Sequence, residues 1–183
     1  VAMIFVSSGM TWGQDFWVQT NGPAGGSFID MAISNNGTLL AVLGSSGDVF
    51  RSTDNGDTWE QADPPVKSTR FVPKILSTYG ADSFYLWTRS GFYRSVDGGL
   101  TWTTFGSQLN PYKPTALCYD ALTSTFWMTT LTPPYSSSIE NRLFKSTDDG
   151  SSWIEVASGL FSNEPVSCLT VNNESGRLYA GVN

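Results

Sequence analysis

Three copies of one eight-residue pattern, set at the length of a four-stranded blade, predict an all-β fold: a β-propeller of four-stranded antiparallel blades. The copies are Ser52-Thr53-Asp54-Asn55-Gly56-Asp57-Thr58-Trp59, Ser95-Val96-Asp97-Gly98-Gly99-Leu100-Thr101-Trp102 and Ser146-Thr147-Asp148-Asp149-Gly150-Ser151-Ser152-Trp153. Each follows an aromatic-basic pair, Phe50-Arg51, Tyr93-Arg94 and Phe144-Lys145, so the likeness extends into the preceding strand. The central aspartates lie 43 and 51 residues apart, against roughly 40–50 residues for one propeller blade. Composition agrees. Aromatic residues make up 14 % and charged residues only 14 %, where about a quarter is ordinary.

Local chemistry explains the pattern. An Asp in a turn accepts backbone N–H groups two residues on, Gly supplies positive φ without steric cost, and Thr-Trp suits the start of a strand. The run from Asp54 to Asp57 has the look of a calcium loop, but such a loop needs a bidentate Glu at its twelfth position, and that position is Pro65. The four named residues of each copy (Ser52, Asp54, Gly56, Trp59; Ser95, Asp97, Gly99, Trp102; Ser146, Asp148, Gly150, Trp153) are therefore read as architecture.

The elements follow in order. Residues 1–13 open with the uncharged run Val1–Val6 and end in small residues before Gln14, as a signal peptide clipped at its start would; the alternative is a worn repeat aligned on Trp12. Residues 15–20 match the strand that follows a box and are expected to be the outer strand of the closing blade. The first blade, 27–62, is expected to run Phe28–Ser34, Thr38–Leu43, Asp48–Ser52 and Thr58–Gln61. The second, 70–106, runs Phe71–Ser77, Ser83–Thr88, Phe92–Ser95 and Thr101–Phe105, with Pro73 poorly placed in a central strand. The third, 114–157, runs Thr115–Asp120, Thr125–Leu131, Arg142–Ser146 and Ser152–Val156, with an enlarged loop at 132–141. The incomplete fourth, 166–183, offers Val166–Asn172 and Arg177–Val182. Three and a half blades over 14–183 read as the first part of a larger ring with downstream domains in the same chain.

Composition also excludes. A net charge of −6 with no cluster of basic residues lacks the footprint of a nucleic-acid binder. Histidine is absent, which removes the commonest general base and zinc ligand. No metal, cofactor or membrane span is expected. Cys118 and Cys168 sit in apolar runs of successive repeats. They are read as two small buried thiols in preference to a disulfide.

The repeated pattern resembles the Asp-box, or BNR repeat: copies one and two match throughout and copy three differs only by Ser152 for Thr. Such propellers occur in sialidases, xyloglucanase-type glycoside hydrolases, sortilin-type receptors, photosystem assembly factors and secreted bacterial proteins. Resemblance to a sialidase would imply an Arg triad and a Phe/Tyr-Arg-Ile-Pro motif before the first box; the nearest string, Arg70-Phe71-Val72-Pro73, has the wrong order and follows it. The start Gly22-Pro23-Ala24-Gly25-Gly26 is similar to xyloglucanase-type enzymes, but their early Thr-Asp is replaced by Leu43-Gly44-Ser45. A glycosidase needs two carboxylates about 5–9.5 Å apart across the scissile bond, and the sequence nominates no such pair. Loops beside the inner strands offer Arg70, Arg89, Tyr112, Lys113, Tyr135 and Trp87 for recognition, while Phe84, Trp87 and Trp127 also suit core packing. The sequons at Asn36 and Asn173 are read as ordinary turns. The sequence thus points to a secreted or envelope, noncatalytic binding or scaffold propeller with an extracellular carbohydrate or protein ligand. A glycoside hydrolase with catalytic carboxylates outside this stretch is the alternative.

Overall fold

The computed structural model describes residues 4–5, 18–19, 22, 27–44, 46–62, 74–77, 82–88, 91–109, 112–131, 140–160 and 164–182. Its strands are β1 (Ile4–Phe5), β2 (Val18–Gln19), β3 (Phe28–Ile33), β4 (Leu39–Leu43), β5 (Val49–Ser52), β6 (Glu60–Ala62), β7 (Lys74–Ser77), β8 (Phe84–Thr88), β9 (Gly91–Ser95), β10 (Thr103–Phe105), β11 (Lys113–Asp120), β12 (Thr125–Leu131), β13 (Asn141–Ser146), β14 (Ile154–Leu160), β15 (Val166–Asn172) and β16 (Arg177–Val182). One 3-10 turn spans Ser107–Leu109. Three four-stranded sheets result, ordered β3-β4-β5-β6, β10-β9-β8-β7 and β11-β12-β13-β14, with β15-β16 and β1-β2 as two-stranded sheets. The fold is all-β, built from antiparallel four-stranded blades of the propeller type.

One local difference from the sequence expectation has a physical cause. The outer strands begin one residue after each box Trp, because Thr58 and Trp59 and their counterparts are still held inside the turn. Of the expected strand Phe71–Ser77 the described part is β7, Lys74–Ser77; Phe71 to Pro73 lie outside the described residues. β1 pairs antiparallel with β2, Ile4 opposite Gln19, and neither strand belongs to a four-stranded sheet.

The chain divides into two compact units, Val1–Thr88 with Arg94–Thr103, and Arg89–Tyr93 with Thr104–Asn183. In the first, β3 lies against β7, and the whole of β4 is buried, since a central strand is covered on both faces. In the second, β11 lies against β15. Ala116, Cys118 and Leu169 form a core cluster there, with Trp127, Leu143, Val171 and Leu178 packed on it.

Inner strands β3, β11 and β15 each carry a bulge near their start, between Phe28 and Asp30, Pro114 and Ala116, and Val166 and Cys168. A bulge adds one residue and shifts which parity faces inward. This corrects the reading of the cysteines. Both are free; Cys118 is buried, but Cys168 is exposed, because the bulge turns Leu169 inward. Cys168 therefore faces away from the cluster that holds Cys118. Burial, and secondarily the nearby Asp120 charge, pushes the Cys118 thiol up to about 12.

Candidate functional site

Each box is a clip of six side-chain bonds with the same wiring in all three copies. In the first, Ser52 Oγ donates to Asp54 Oδ1 (2.8 Å) and accepts from Gly56 N (2.9 Å), while Thr58 N donates to Asp54 Oδ1 (2.9 Å) and Thr58 Oγ1 to Asp54 Oδ2 (2.5 Å). The backbone N–H of Asp54 closes back on Ser52 Oγ (3.4 Å). Trp59 Nε1 then donates to Gly56 O (3.0 Å), which pins the indole across the turn. The second box repeats these contacts through Ser95, Asp97, Gly99, Thr101 and Trp102. So does the third, through Ser146, Asp148, Gly150, Ser152 and Trp153. Ser152 supplies the same hydroxyl donor as Thr58 and Thr101, so the one departure from the pattern costs no bond.

Two successive residues of each turn take left-handed backbone: Asn55 and Gly56 (φ 58° and 91°), Gly98 and Gly99 (72° and 89°), Asp149 and Gly150 (56° and 81°). In the second and third boxes the second of the pair is also crowded. A Cβ on Gly99 would lie 2.9 Å from Leu40 Cδ2, and one on Gly150 2.8 Å from Phe105 Cδ2. The glycine thus serves both φ and close packing.

The bonds tune the carboxylates. The Thr58 hydroxyl foremost, then its backbone N–H and Ser52, pull Asp54 from 3.8 to about 2. Ser152 and Ser146 lower Asp148 in the same way. For Asp97 burial pushes upward, but bonds from Thr101, Ser95 and the Leu100 amide outweigh it and the carboxyl is lowered. All three are ionised acceptors spent on their own turns.

Around the boxes lie two further polar clusters. In the first unit, Asp82 accepts from Ser34 Oγ and from the Asn36 and Thr38 side chains. Burial alone would raise its carboxyl; those bonds and the Arg51 charge lower it. Its backbone carbonyl takes Gly98 N (2.9 Å), and Arg51 Nε donates to Gly98 O (2.7 Å) while Arg51 Nη1 meets Glu60 (2.6 Å). A polar cavity of about 170 Å³ opens beside this pair, lined by Arg51, Ser52, Thr53, Thr58, Trp59 and Glu60. In the second unit, Arg142 pairs with Glu155 (2.9 Å) and Glu140 (3.4 Å) and sits 5.3 Å from the Tyr112 ring centre. Tyr112 also packs on Phe144 at 5.5 Å. Thr130, opposite Arg142 in the ladder, is fully buried, and among the described residues neither its Oγ1 nor Arg142 Nε has a hydrogen-bond partner.

Of the residues nominated for recognition, Tyr112 is half-buried and engaged with Arg142 and Phe144. Arg70, Arg89 and Tyr135 lie outside the described residues, as does the Lys113 side chain. Phe84 and Trp87 are buried. Sequence reading missed Asp82, Thr130 and Arg142. Asp82 had a turn signal, a lone acid before Ser83, whereas the partners of the other two follow only from strand register.

Four-stranded antiparallel sheets in this order, each closed by a hairpin clip of the same wiring, define a β-propeller. A family model described as Sortilin-Vps10 (Sortilin, neurotensin receptor 3) matches residues 47–167, the larger part of the chain, and the chain belongs to that family. Xyloglucanase Xgh74A of Acetivibrio thermocellus is 31 % identical over 139 residues, covering 62 % of this chain and 16 % of the enzyme. Among solved structures, an ancestral GH74 enzyme matches with TM-score 0.66 at 17 % identity, over 91 % of this chain and 25 % of its own. The extracellular domain of a one-component system protein from B. thetaiotaomicron matches with TM-score 0.63 at 15 % identity, over 91 % of this chain and 21 % of its own. The chain therefore spans about a sixth of the curated xyloglucanase and about a quarter of the GH74 structure. Among the described residues no helix is long and apolar enough to cross a membrane.

Proposed function

We propose that this chain is the propeller part of an extracytoplasmic protein that binds a carbohydrate or protein ligand without cleaving it, residues 1–13 being the remnant of its export signal. The observation that carries the reading is the fate of the box carboxylates. Asp54, Asp97 and Asp148 are held ionised as acceptors inside their own turns, whereas a glycosidase needs one carboxyl kept protonated and a second facing it across the substrate. Family membership with sortilin and the likeness to the extracellular domain of a one-component system protein support a binding role. A second reading, glycoside hydrolysis, is favoured by the 31 % identity to Xgh74A.

The two separate in one experiment. Purified protein is run through native gels cast with xyloglucan, and the same polysaccharide is assayed for new reducing ends. Retardation without new reducing ends supports the binding module. Release of reducing ends that scales with protein overturns it in favour of the hydrolase. N-terminal sequencing of exported protein tests the signal: a mature chain that keeps Val1–Val6 removes it.

A further inference from the structure

We propose that Asn55 is a deamidation site whose rate is set by the opening of the first box. In this reaction the main-chain nitrogen of the following residue attacks the Asn side-chain carbonyl carbon. The new N–Cγ bond forms, the Cγ–Nδ2 bond breaks, and ammonia leaves. Water then opens the succinimide at one carbonyl to give Asp or at the other to give isoaspartate, so the net change is one water gained and one ammonia lost. Glycine on the C-terminal side favours the attack because it has no side chain in the way.

The chain carries this dipeptide twice, at Asn36-Gly37 and Asn55-Gly56, and the structure separates them. The Asn36 amide is held on Asp82. Asn55 is exposed at φ 58°, and among the described residues nothing bonds its amide, so the electrophile is free to rotate. What restrains the reaction is the nucleophile. Gly56 is buried and its N–H is donated to Ser52 Oγ at 2.9 Å, so the nitrogen is neither solvated nor aimed at the Asn55 side chain while the clip is shut. Local opening releases it.

The two products have different fates. Asp at 55 reproduces the third box, where Asp149 holds the same left-handed backbone at φ 56°, so that product refolds into the clip and adds one negative charge. Isoaspartate adds a methylene to the backbone between Asp54 and Gly56, within the span closed by Gly56 N to Ser52 Oγ and Thr58 N to Asp54 Oδ1. That product leaves the box open.

The test is peptide mapping of the aged protein at mildly alkaline pH, scoring the mass gain of –OH for –NH2 and isoaspartate at each Asn. Ser52→Ala removes the acceptor of Gly56 N–H together with both bonds between Ser52 Oγ and Asp54, and is expected to raise the rate at Asn55 by at least roughly three- to tenfold, the open population gained from loss of the Gly56 bond alone. Ser146→Ala breaks the same bond in the third box and is expected to leave Asn55 at the wild-type rate, which separates local opening from general destabilisation. Asn55→Gly, the residue found at position 98, is expected to abolish the signal and keep the fold. An unchanged rate in Ser52→Ala, an equal rise in Ser146→Ala, or first modification at Asn36 overturns the proposal. Should Ser52→Ala not fold, wild-type protein in buffer is compared with the same protein in guanidinium: a large excess in guanidinium supports gating, and equal rates overturn it.

Discussion

Replacing Asp97 by Ala tests whether the boxes are architecture. The carboxylate takes Ser95 Oγ at 2.7 Å and Thr101 N at 2.9 Å on Oδ1, Thr101 Oγ1 at 2.5 Å on Oδ2, and the Leu100 amide. Each charge-assisted bond is worth about 1.5–3 kcal/mol where water is excluded, but Thr101 is exposed, so solvent replaces most of what its two groups lose. Ser95 is different. It is 1 % exposed, and its hydroxyl proton loses a buried acceptor at a cost of about 1–3 kcal/mol. We expect Asp97→Ala to lower stability by about 1–3 kcal/mol, and Asp97→Asn, which keeps Oδ1 for Ser95 and Thr101 N, to cost less. Urea unfolding measures it: the midpoint should fall with the slope unchanged. An unchanged midpoint accompanied by lost xyloglucan retardation would refute the architectural assignment and make Asp97 a ligand contact.

Other outcomes follow from the same geometry. Asp54 is pulled from 3.8 to about 2 in the fold, so its contribution is whole above pH 3.8 and drains away as pH falls through about 2; acid unfolding monitored by tryptophan fluorescence should begin below pH 3.8 and should begin at higher pH in Thr58→Val, which removes the main cause of the shift. Thr130→Val should raise the melting temperature, because it replaces a fully buried, unpartnered hydroxyl by an apolar group of the same shape; a lower melting temperature would reveal a partner for that oxygen. A maleimide should label native protein at Cys168 alone and reach Cys118 only after denaturation, since one thiol is exposed and the other is buried and pushed up to about 12.

How much of this could be read from the sequence depends on the range of the interaction. The boxes were legible because every bond of the clip closes within eight residues, and four of those residues have side chains or backbone freedom that few alternatives supply. The inner strands were legible as apolar runs but not in facing. Strict alternation from buried Val166 puts Cys168 inside, and only the bulge between them moves the inward position to Leu169. Long-range polar clusters were not legible. Ser34 and Asp82 are 48 residues apart, so the turn signal at Asp82 does not name its partner, and Thr130 meets Arg142 only because of the β12–β13 register.

The division of labour inside each box also limits where specificity can reside. Ser, Asp, Gly, Thr/Ser and Trp are fixed in every copy because their atoms make the clip, and Gly99 and Gly150 are also pressed against Leu40 and Phe105. The other side chains make none of these bonds: apart from the buried Gly98, Thr53, Asn55 and Asp57 in the first box, Val96 and Leu100 in the second, and Thr147, Asp149 and Ser151 in the third are all exposed, with only the left-handed backbone of Asn55 and Asp149 shared. The second box alone puts two apolar side chains there, Val96 at 58 % and Leu100 at 59 % exposure, where the others carry polar ones. The three turns therefore share one backbone and one set of bonds while presenting different surfaces. Any discrimination made at a box must come from these outward positions and not from the Asp, which faces its own turn in all three.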